Sequence, residues 1–344
     1  ENKVKIKSDR FGRRLGAKLS VRASYTARGI RQYAVHGYAG RVWPNVVGHE
    51  VASKLSRSRH HNALPECIES PKLFWSLPDT KLFLESSDWM SDLLDSFEMK
   101  KEHTTITNTA LGEMYSSAKF FTFQDRERTI SFAAKSYNDV RGMKWGLLNI
   151  WSLRNTNFTI SALERLHREY KAIHKLKKMG IATPETLAVF LSERLLVTRF
   201  VPGRDLSKVQ SDYLNEKITD LSPLTEFGKV LAILHRNGFC MGDSKPSNAI
   251  VSSHDNKVYL TDLEQAHEKG NPVWDIAEFV YYSIRFTLKE DRARKMVSSF
   301  VEGYLKRGGS PEVVRRSAGL RYRAPFQPFI APNVLNSVLK DLRV

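Results

Sequence analysis

Apolar residues recur at two spacings along this chain. In Arg128–Lys135, Ile130, Phe132 and Ala134 fall on one face, and Ser131, Ala133 and Lys135 on the other. With Lys119–Gln124, joined through Asp125-Arg126-Glu127, this alternation predicts a β-hairpin. Further strands are predicted over Thr186–Phe190 and Arg194–Val201, and a second hairpin from Ala249–Val251 and Val258–Leu260 around a polar turn. Elsewhere the spacing is helical. Leu163, Leu166, Tyr170, Ile173 and Leu176 form one apolar stripe, opened by a capping box at Ser161 and Glu164 and closed by Gly180. Phe227, Val230, Leu231 and Leu234 mark a helix over Leu224–His235. Met296, Val297, Phe300, Val301 and Tyr304 mark another over Leu288–Lys306, with Thr287 and Glu290 as its capping box. Trp89, Leu93, Leu94 and Phe97 share the face of a shorter helix. No apolar run reaches the ~18 residues needed to span a bilayer, and no signal peptide is visible.

Some polar residues break these patterns and call for an explanation. Glu169 falls between Ile173 and Leu176 on the apolar stripe, where a carboxylate wants a cation. Ala133 is a small residue two positions before Lys135, which leaves room for an adenine ring while the ammonium reaches phosphates. The stretch GDSKPSN carries Asp243, Lys245 and Asn248, and the hairpin after it returns the chain so that Asp262 comes back beside Asn248. One Asp to steer a hydroxyl, with an Asn and an Asp to hold Mg²⁺, is the equipment of phosphoryl transfer.

This constellation resembles the catalytic core of the protein-kinase-like superfamily. The resemblance implies that Asp243 is the catalytic Asp and Lys245 the lysine two residues on in Ser/Thr kinases. Asn248 and Asp262 become the metal ligands, and Lys135 with Glu169 the strand-lysine to helix-glutamate pair. Thr198 to Val201, Thr198 and Phe200 among them, would present backbone groups to adenine, and Asp275 would orient the catalytic loop. Only Gly112 is available for a phosphate-covering glycine loop. The chain departs from the kinase pattern at Met241-Gly242-Asp243 and at Asp262-Leu263-Glu264. The words Arg168-Glu169 and Gly180-Ile181-Ala182-Thr183-Pro184 resemble the KEOPS-complex kinase family. The pattern D-x-E-x-A…G-x-P…D-x-A resembles the aminoglycoside/choline phosphotransferases. Only twelve residues lie between Asp262 and Asp275, too few for the activation loop on which protein kinases dock peptides.

The implied fold is α+β and bilobal, with a small β-rich N-lobe over 109–201 and a mostly helical C-lobe over 202–344. Residues 1–108 precede it as a basic region of unknown fold. The implied activity is that of an atypical Ser/Thr kinase or ATPase using ATP and Mg²⁺. The alternatives are a small-molecule kinase of the aminoglycoside/choline or lipopolysaccharide-core type, and a nucleic-acid-binding protein with a kinase-fold scaffold.

Charge adds one feature to this picture. The 344 residues carry a formal net charge of +17. Residues 1–61 hold fourteen Lys and Arg against three acids, +11 of that total, interleaved with Phe11, Tyr25, Tyr33, Tyr38 and Trp43. Such a segment suits RNA or another polyanion. Acidic residues return between 62 and 105, and Arg315, Arg316, Arg321 and Arg323 form a second basic cluster among prolines. This tail is a surface for the C-lobe or for protein partners. His49, His60, His61 and Cys67 lack the paired spacing of a zinc site. Two cysteines are too few for a disulfide framework, which fits a reducing cytoplasm.

Overall fold

The structure is a computed structural model that describes residues 80–83, 86, 88–100, 104–109, 118–138, 146, 148, 149, 151, 152 and 155–343. The basic segment 1–61, the four residues weighed against zinc, and Gly112 lie outside them. The first part of the described chain runs β1 (Lys81–Phe83), α1 (Trp89–Ser96), β2 (Thr105–Thr109), β3 (Ala118–Gln124), β4 (Thr129–Ser136), α2 (Ala162–Lys178), β5 (Thr186–Phe190) and β6 (Leu195–Arg199). Its strands form one sheet in the order β1-β5-β6-β4-β3-β2, with only the β1–β5 pair parallel.

Alternation in β4 does the sorting. Phe132 and Ala134 are buried in a core with Phe121, Phe123 and Val197, while Ser131, Ala133 and Lys135 line the other face. The Phe132 ring lies 4.7 Å from that of Phe123 and 5.4 Å from that of Phe121. Helix α1 inserts Leu93 and Leu94 into the same core, each burial contributing about 1.5–3 kcal/mol. Asp88 caps this helix by accepting the N–H groups of Met90 and Ser91. The β-rich lobe therefore takes in residues upstream of 109, where the sequence resemblance begins. A three-residue strand held by backbone pairing leaves no period for sequence to show.

The second part is helical. It runs β7 (Gly203–Asp205), α3 (Leu206–Leu214), α4 (Ser222–Arg236), β8 (Phe239–Cys240), a 3-10 turn at Pro246–Asn248, β9 (Ala249–Ser252), β10 (Val258–Leu260), β11 (His267–Glu268), α5 (Pro272–Ile284), α6 (Glu290–Lys306), α7 (Pro311–Ser317), α8 (Leu320–Arg323), a 3-10 turn at Gln327–Phe329 and α9 (Pro332–Asp341). The hairpin of β9 and β10 pairs Ala249 with Leu260 and Val251 with Val258, and β7 adds a third strand. Helix α5 is apolar nearly all round and is buried accordingly. Helices α4 and α6 approach closely through Gly228 and Gly303. A methyl at Gly228 would overlap the Phe300 carbonyl, and one at Gly303 the Thr225 carbonyl. The helix expected from Leu288 begins instead at Glu290, without a side-chain cap. Thr287 Oγ1 accepts the Lys289 N–H, a local turn that takes the hydroxyl away from the helix. Val314 and Tyr322 of the basic tail are buried in the helical core, so this tail packs on its own lobe.

Candidate active site

Strand β4 carries Lys135 into a cluster of carboxylates. Its Nζ lies 2.5 Å from Glu169 Oε2, 2.5 Å from Asp262 Oδ1 and 3.3 Å from Glu264 Oε2. Glu169 is there because α2 turns its apolar stripe inward, and Ser161 Oγ fixes the start of that helix by accepting the Glu164 N–H. Burial alone would depress the Lys135 ammonium, but the facing charges of Asp262, Glu169 and Glu264 override it and hold it well above the usual lysine range. Burial raises the Glu169 carboxyl even against the pull of Lys135. Two further groups complete the cluster. Arg165, one turn before Glu169, reaches Glu264 Oε2 at 3.0 Å with both side chains buried. The Tyr137 hydroxyl donates to Glu169 Oε2, and its ring lies 5.1 Å from the Lys135 ammonium.

A second set of contacts shapes the loop after β8. Asp275, buried near the start of α5, accepts the Met241 N–H at 2.7 Å and the Gly242 N–H at 2.9 Å. One turn on, Glu278 accepts the Ser244 N–H at 2.7 Å. Trp274 Nε1 donates to the Gly242 carbonyl at 3.2 Å. Gly242 has φ of +74°, and a methyl there would overlap the Gln265 carbonyl, so the position demands glycine. Held this way, the loop presents Asp243. Lys245 Nζ lies 2.7 Å from Asp243 Oδ2, and Asn248 Nδ2 donates to that same oxygen and to the Asp243 carbonyl, each at 2.9 Å. Burial works against the Lys245 ammonium, yet Asp243 and Asp262 raise it well above the usual lysine range.

The two sets meet at the end of the hairpin. Thr261 N–H donates to the Asn248 carbonyl at 2.9 Å, which brings Asp262 beside Asn248. Asp262 adopts the left-handed φ of +54°, a strained setting for a non-glycine residue and one common at working sites. With its Nδ2 turned to Asp243, the Asn248 amide directs Oδ1 the other way. An amide oxygen and a carboxylate are the hard donors that Mg²⁺ prefers, so Asn248 and Asp262 fit that ion. Among the described residues two trios of potential ligands come within 4.8 Å: Glu169, Asp262 and Glu264, and His235, Cys240 and Asp275. The Lys135 ammonium already sits in the first. In the second, Asp275 is committed to backbone amides and His235 bonds to both Asp275 and the Tyr304 hydroxyl. Burial and Asp275 push the Cys240 thiol up, away from a metal-binding thiolate.

The residues expected at an adenine site are placed unequally. Ala133 and Thr198 stand opposite each other in the β4–β6 ladder. Phe200 differs: its N–H donates to the Ser131 carbonyl at 3.0 Å, and its ring packs edge-on against Phe120. Its N–H is therefore committed to the sheet. Sequence reasoning missed Arg165, Tyr137, Glu264 and Glu278. A second acid three residues after Asp275, on an otherwise apolar helix, was a readable signal for the last.

Glu278 makes a pH-dependent prediction. Burial, with Asp243 beside it, pushes its carboxyl well above the usual carboxylate range, and Lys245 pulls the other way. The folded chain thus holds that proton more tightly than the unfolded chain, whose value is about 4.3. Stability contributed by the protonated form is present below that value and is lost as pH rises through the folded one. Glu278→Gln keeps an acceptor for Ser244 and removes the loss. Its melting temperature relative to the parent should therefore rise between about pH 5 and about pH 8; a difference that stays flat or shrinks contradicts this.

Known proteins bear on this geometry. No family model matches the chain. It is 27% identical over 166 residues to a probable serine/threonine-protein kinase BUD32 homolog of Archaeoglobus fulgidus, covering 48% of this chain and 77% of that one. The chain belongs to the atypical branch of the protein-kinase-like superfamily. With that membership comes the enzyme class, an ATP-dependent phosphotransferase. A second relative is the probable bifunctional tRNA threonylcarbamoyladenosine biosynthesis protein of Thermoplasma acidophilum. It is 31% identical over 99 residues, 29% of this chain but only 17% of that protein. Among solved structures, the PknI kinase domain of Mycobacterium tuberculosis aligns with a TM-score of 0.34 at 11% identity, over 70% of this chain and 96% of that one. Among the described residues of this kinase-like chain, no helix is long and apolar enough to cross a membrane.

Proposed function

We propose that this chain transfers the γ-phosphoryl group of ATP, with Mg²⁺, as an atypical Ser/Thr kinase or ATPase similar to the KEOPS-complex kinases. The observation that carries this reading is the meeting of two charge sets at one place, Lys135–Glu169–Asp262 and Asp243–Lys245–Asn248. In this reading Asp243 accepts a hydrogen bond from the acceptor hydroxyl or water and orients it. Lys245 and Lys135 balance phosphate charge, and Glu169 keeps Lys135 in position. Asn248 and Asp262 would hold Mg²⁺, which when bound neutralises charge on the phosphate oxygens. Ala133, Thr198 and Phe200 border the adenine. A cytoplasmic setting suits such an enzyme.

One observation favours a second reading, a small-molecule kinase. Asp262 and Asp275 are joined by only twelve residues, and β11 within them is tied back to β8, His267 opposite Cys240. That segment offers little on which to dock a peptide. ATP turnover measured with and without small hydroxyl compounds, protein acceptors and RNA separates the two readings. Stimulation by a small hydroxyl compound alone favours the second. Absence of ATP turnover under every condition defeats both.

The basic segment 1–61 supports a role in binding RNA or another polyanion, and the name of the second relative connects that protein with tRNA. Removing residues 1–61 is expected to weaken binding of transfer RNA. With six or more phosphate contacts, the intact chain should lose on the order of a thousandfold in affinity between about 50 and 200 mM salt. Equal affinity and equal salt slope with and without the segment contradict this role.

A further inference from the structure

The phosphotransfer roles leave two buried charges unassigned, Arg165 and Glu264, each 3% exposed. Arg165 spreads its guanidinium over three segments. Nη1 donates to Glu264 Oε2 at 3.0 Å, Nη2 to the Asn138 carbonyl at 2.6 Å, and Nε to the Ile160 carbonyl at 3.3 Å. Each segment carries part of the site. Asn138 lies just beyond Lys135 on the chain, Ile160 leads into α2 with its Glu169, and Glu264 closely follows Asp262. A planar fork of fixed N–H donors suits such a joint, because its acceptors must keep the positions that the plane dictates. The Tyr137 ring lies 5.7 Å from the same guanidinium. The next residue repeats the tie. Gln265 accepts the Thr159 N–H at 2.8 Å through Oε1 and donates to the Thr159 carbonyl at 3.1 Å through Nε2. Its own carbonyl borders Gly242, in the loop that presents Asp243. Asp262, just before these ties, has its left-handed φ of +54°. Such a conformation persists only where the surrounding structure imposes it.

We propose that Arg165 and Glu264 are positioning residues for Asp262, joining its turn to α2 and β4 so that the Mg²⁺ ligand and the Lys135–Glu169 pair are set as one unit. The proposal rests on the phosphotransferase reading and adds how its metal carboxylate is held. Glu264 then acts through Arg165 and is not a third metal ligand. Its Oε2 already faces two cations, Arg165 at 3.0 Å and Lys135 at 3.3 Å, and is a poor place for another. Residues that orient a metal ligand in this way cost about 10–100-fold in metal affinity or activity when replaced.

The test compares the full chain with Arg165→Lys, Glu264→Gln and the double variant. Mn²⁺ is titrated into each, with the chain in excess over a non-hydrolysable ATP analogue, and free Mn²⁺ is followed by electron paramagnetic resonance. The kcat and KM for ATP are measured on the same samples. Arg165→Lys keeps the charge but loses the fork, and Glu264→Gln keeps an acceptor but loses the charge. Each should bind Mn²⁺ about ten- to a hundredfold more weakly, with kcat falling by more than KM rises. The double variant should be no worse than the weaker single variant, because both act through one contact. Arg165→Lys decides the matter where Glu264→Gln fails to fold. Parent-like Mn²⁺ affinity in Arg165→Lys, or losses that add in the double variant, overturns the proposal. A loss in Glu264→Gln alone would make Glu264 a metal ligand in its own right and overturns it too. A parent that binds neither analogue nor Mn²⁺ defeats the phosphotransferase reading. A parent that binds both, with variants that match it, defeats only this inference.

Discussion

Asp243→Asn is expected to lower ATP turnover by about 10²–10³-fold, the range seen when one preorganised electrostatic group is removed from a reaction centre, while leaving the fold intact. The fold survives because an amide still accepts from Lys245 Nζ and Asn248 Nδ2, the two donors that meet Asp243 Oδ2. The loop itself hangs on Asp275 and Glu278, which the substitution does not touch. Turnover within threefold of the parent, measured as ADP release on a folded sample, would remove Asp243 from the centre of the site.

Lys135→Ala should be costlier, because it acts on both activity and stability. The ammonium stands between Glu169, Asp262 and Glu264, and Arg165 is the other cation on Glu264. Breaking a buried pair by removing one partner costs about 3–5 kcal/mol, since the remaining charge is left uncompensated. Loss of turnover should therefore come with a lower melting temperature. The deficit has a pH signature. Without Lys135 the crowded carboxylates hold protons more tightly in the folded chain than in the unfolded one. Acid then relieves the repulsion, and stability falls as pH rises through the folded values. The melting-temperature gap to the parent should be wider near about pH 7.5 than near about pH 5. A gap that is constant, or wider in acid, would mean that the lysine does not hold the cluster together.

Where the sequence was informative, a period or a cap made it so. The stripe of α2, with Ser161 and Gly180 at its ends, carried Glu169 to Lys135 by phase alone. The hairpin of β9 and β10 returned Asp262 to Asn248 because alternation and a polar turn set its register. The parts that stayed hidden depend on partners distant in sequence. Arg165 meets Glu264 across 99 residues, and neither residue type announces the other. Strand β1 is three residues long and joins the sheet beside β5 through its backbone. Phe200 was expected to offer its backbone to adenine, but the sheet ladder takes its amide. Thr287 carried the signature of a cap, and a local turn at Lys289 claimed its hydroxyl first. At Arg165, β1 and Phe200 the deciding neighbour is one that only the fold supplies, whereas at Thr287 one local rule displaced another.

The most direct measurement is single-turnover conversion of ATP by the full chain in excess, with Mg²⁺ and then with EDTA. Phosphoryl transfer at Asp243 predicts ADP formed in a time course that EDTA abolishes. ATP left intact after prolonged incubation with folded chain, Mg²⁺ and the acceptor panel would contradict it.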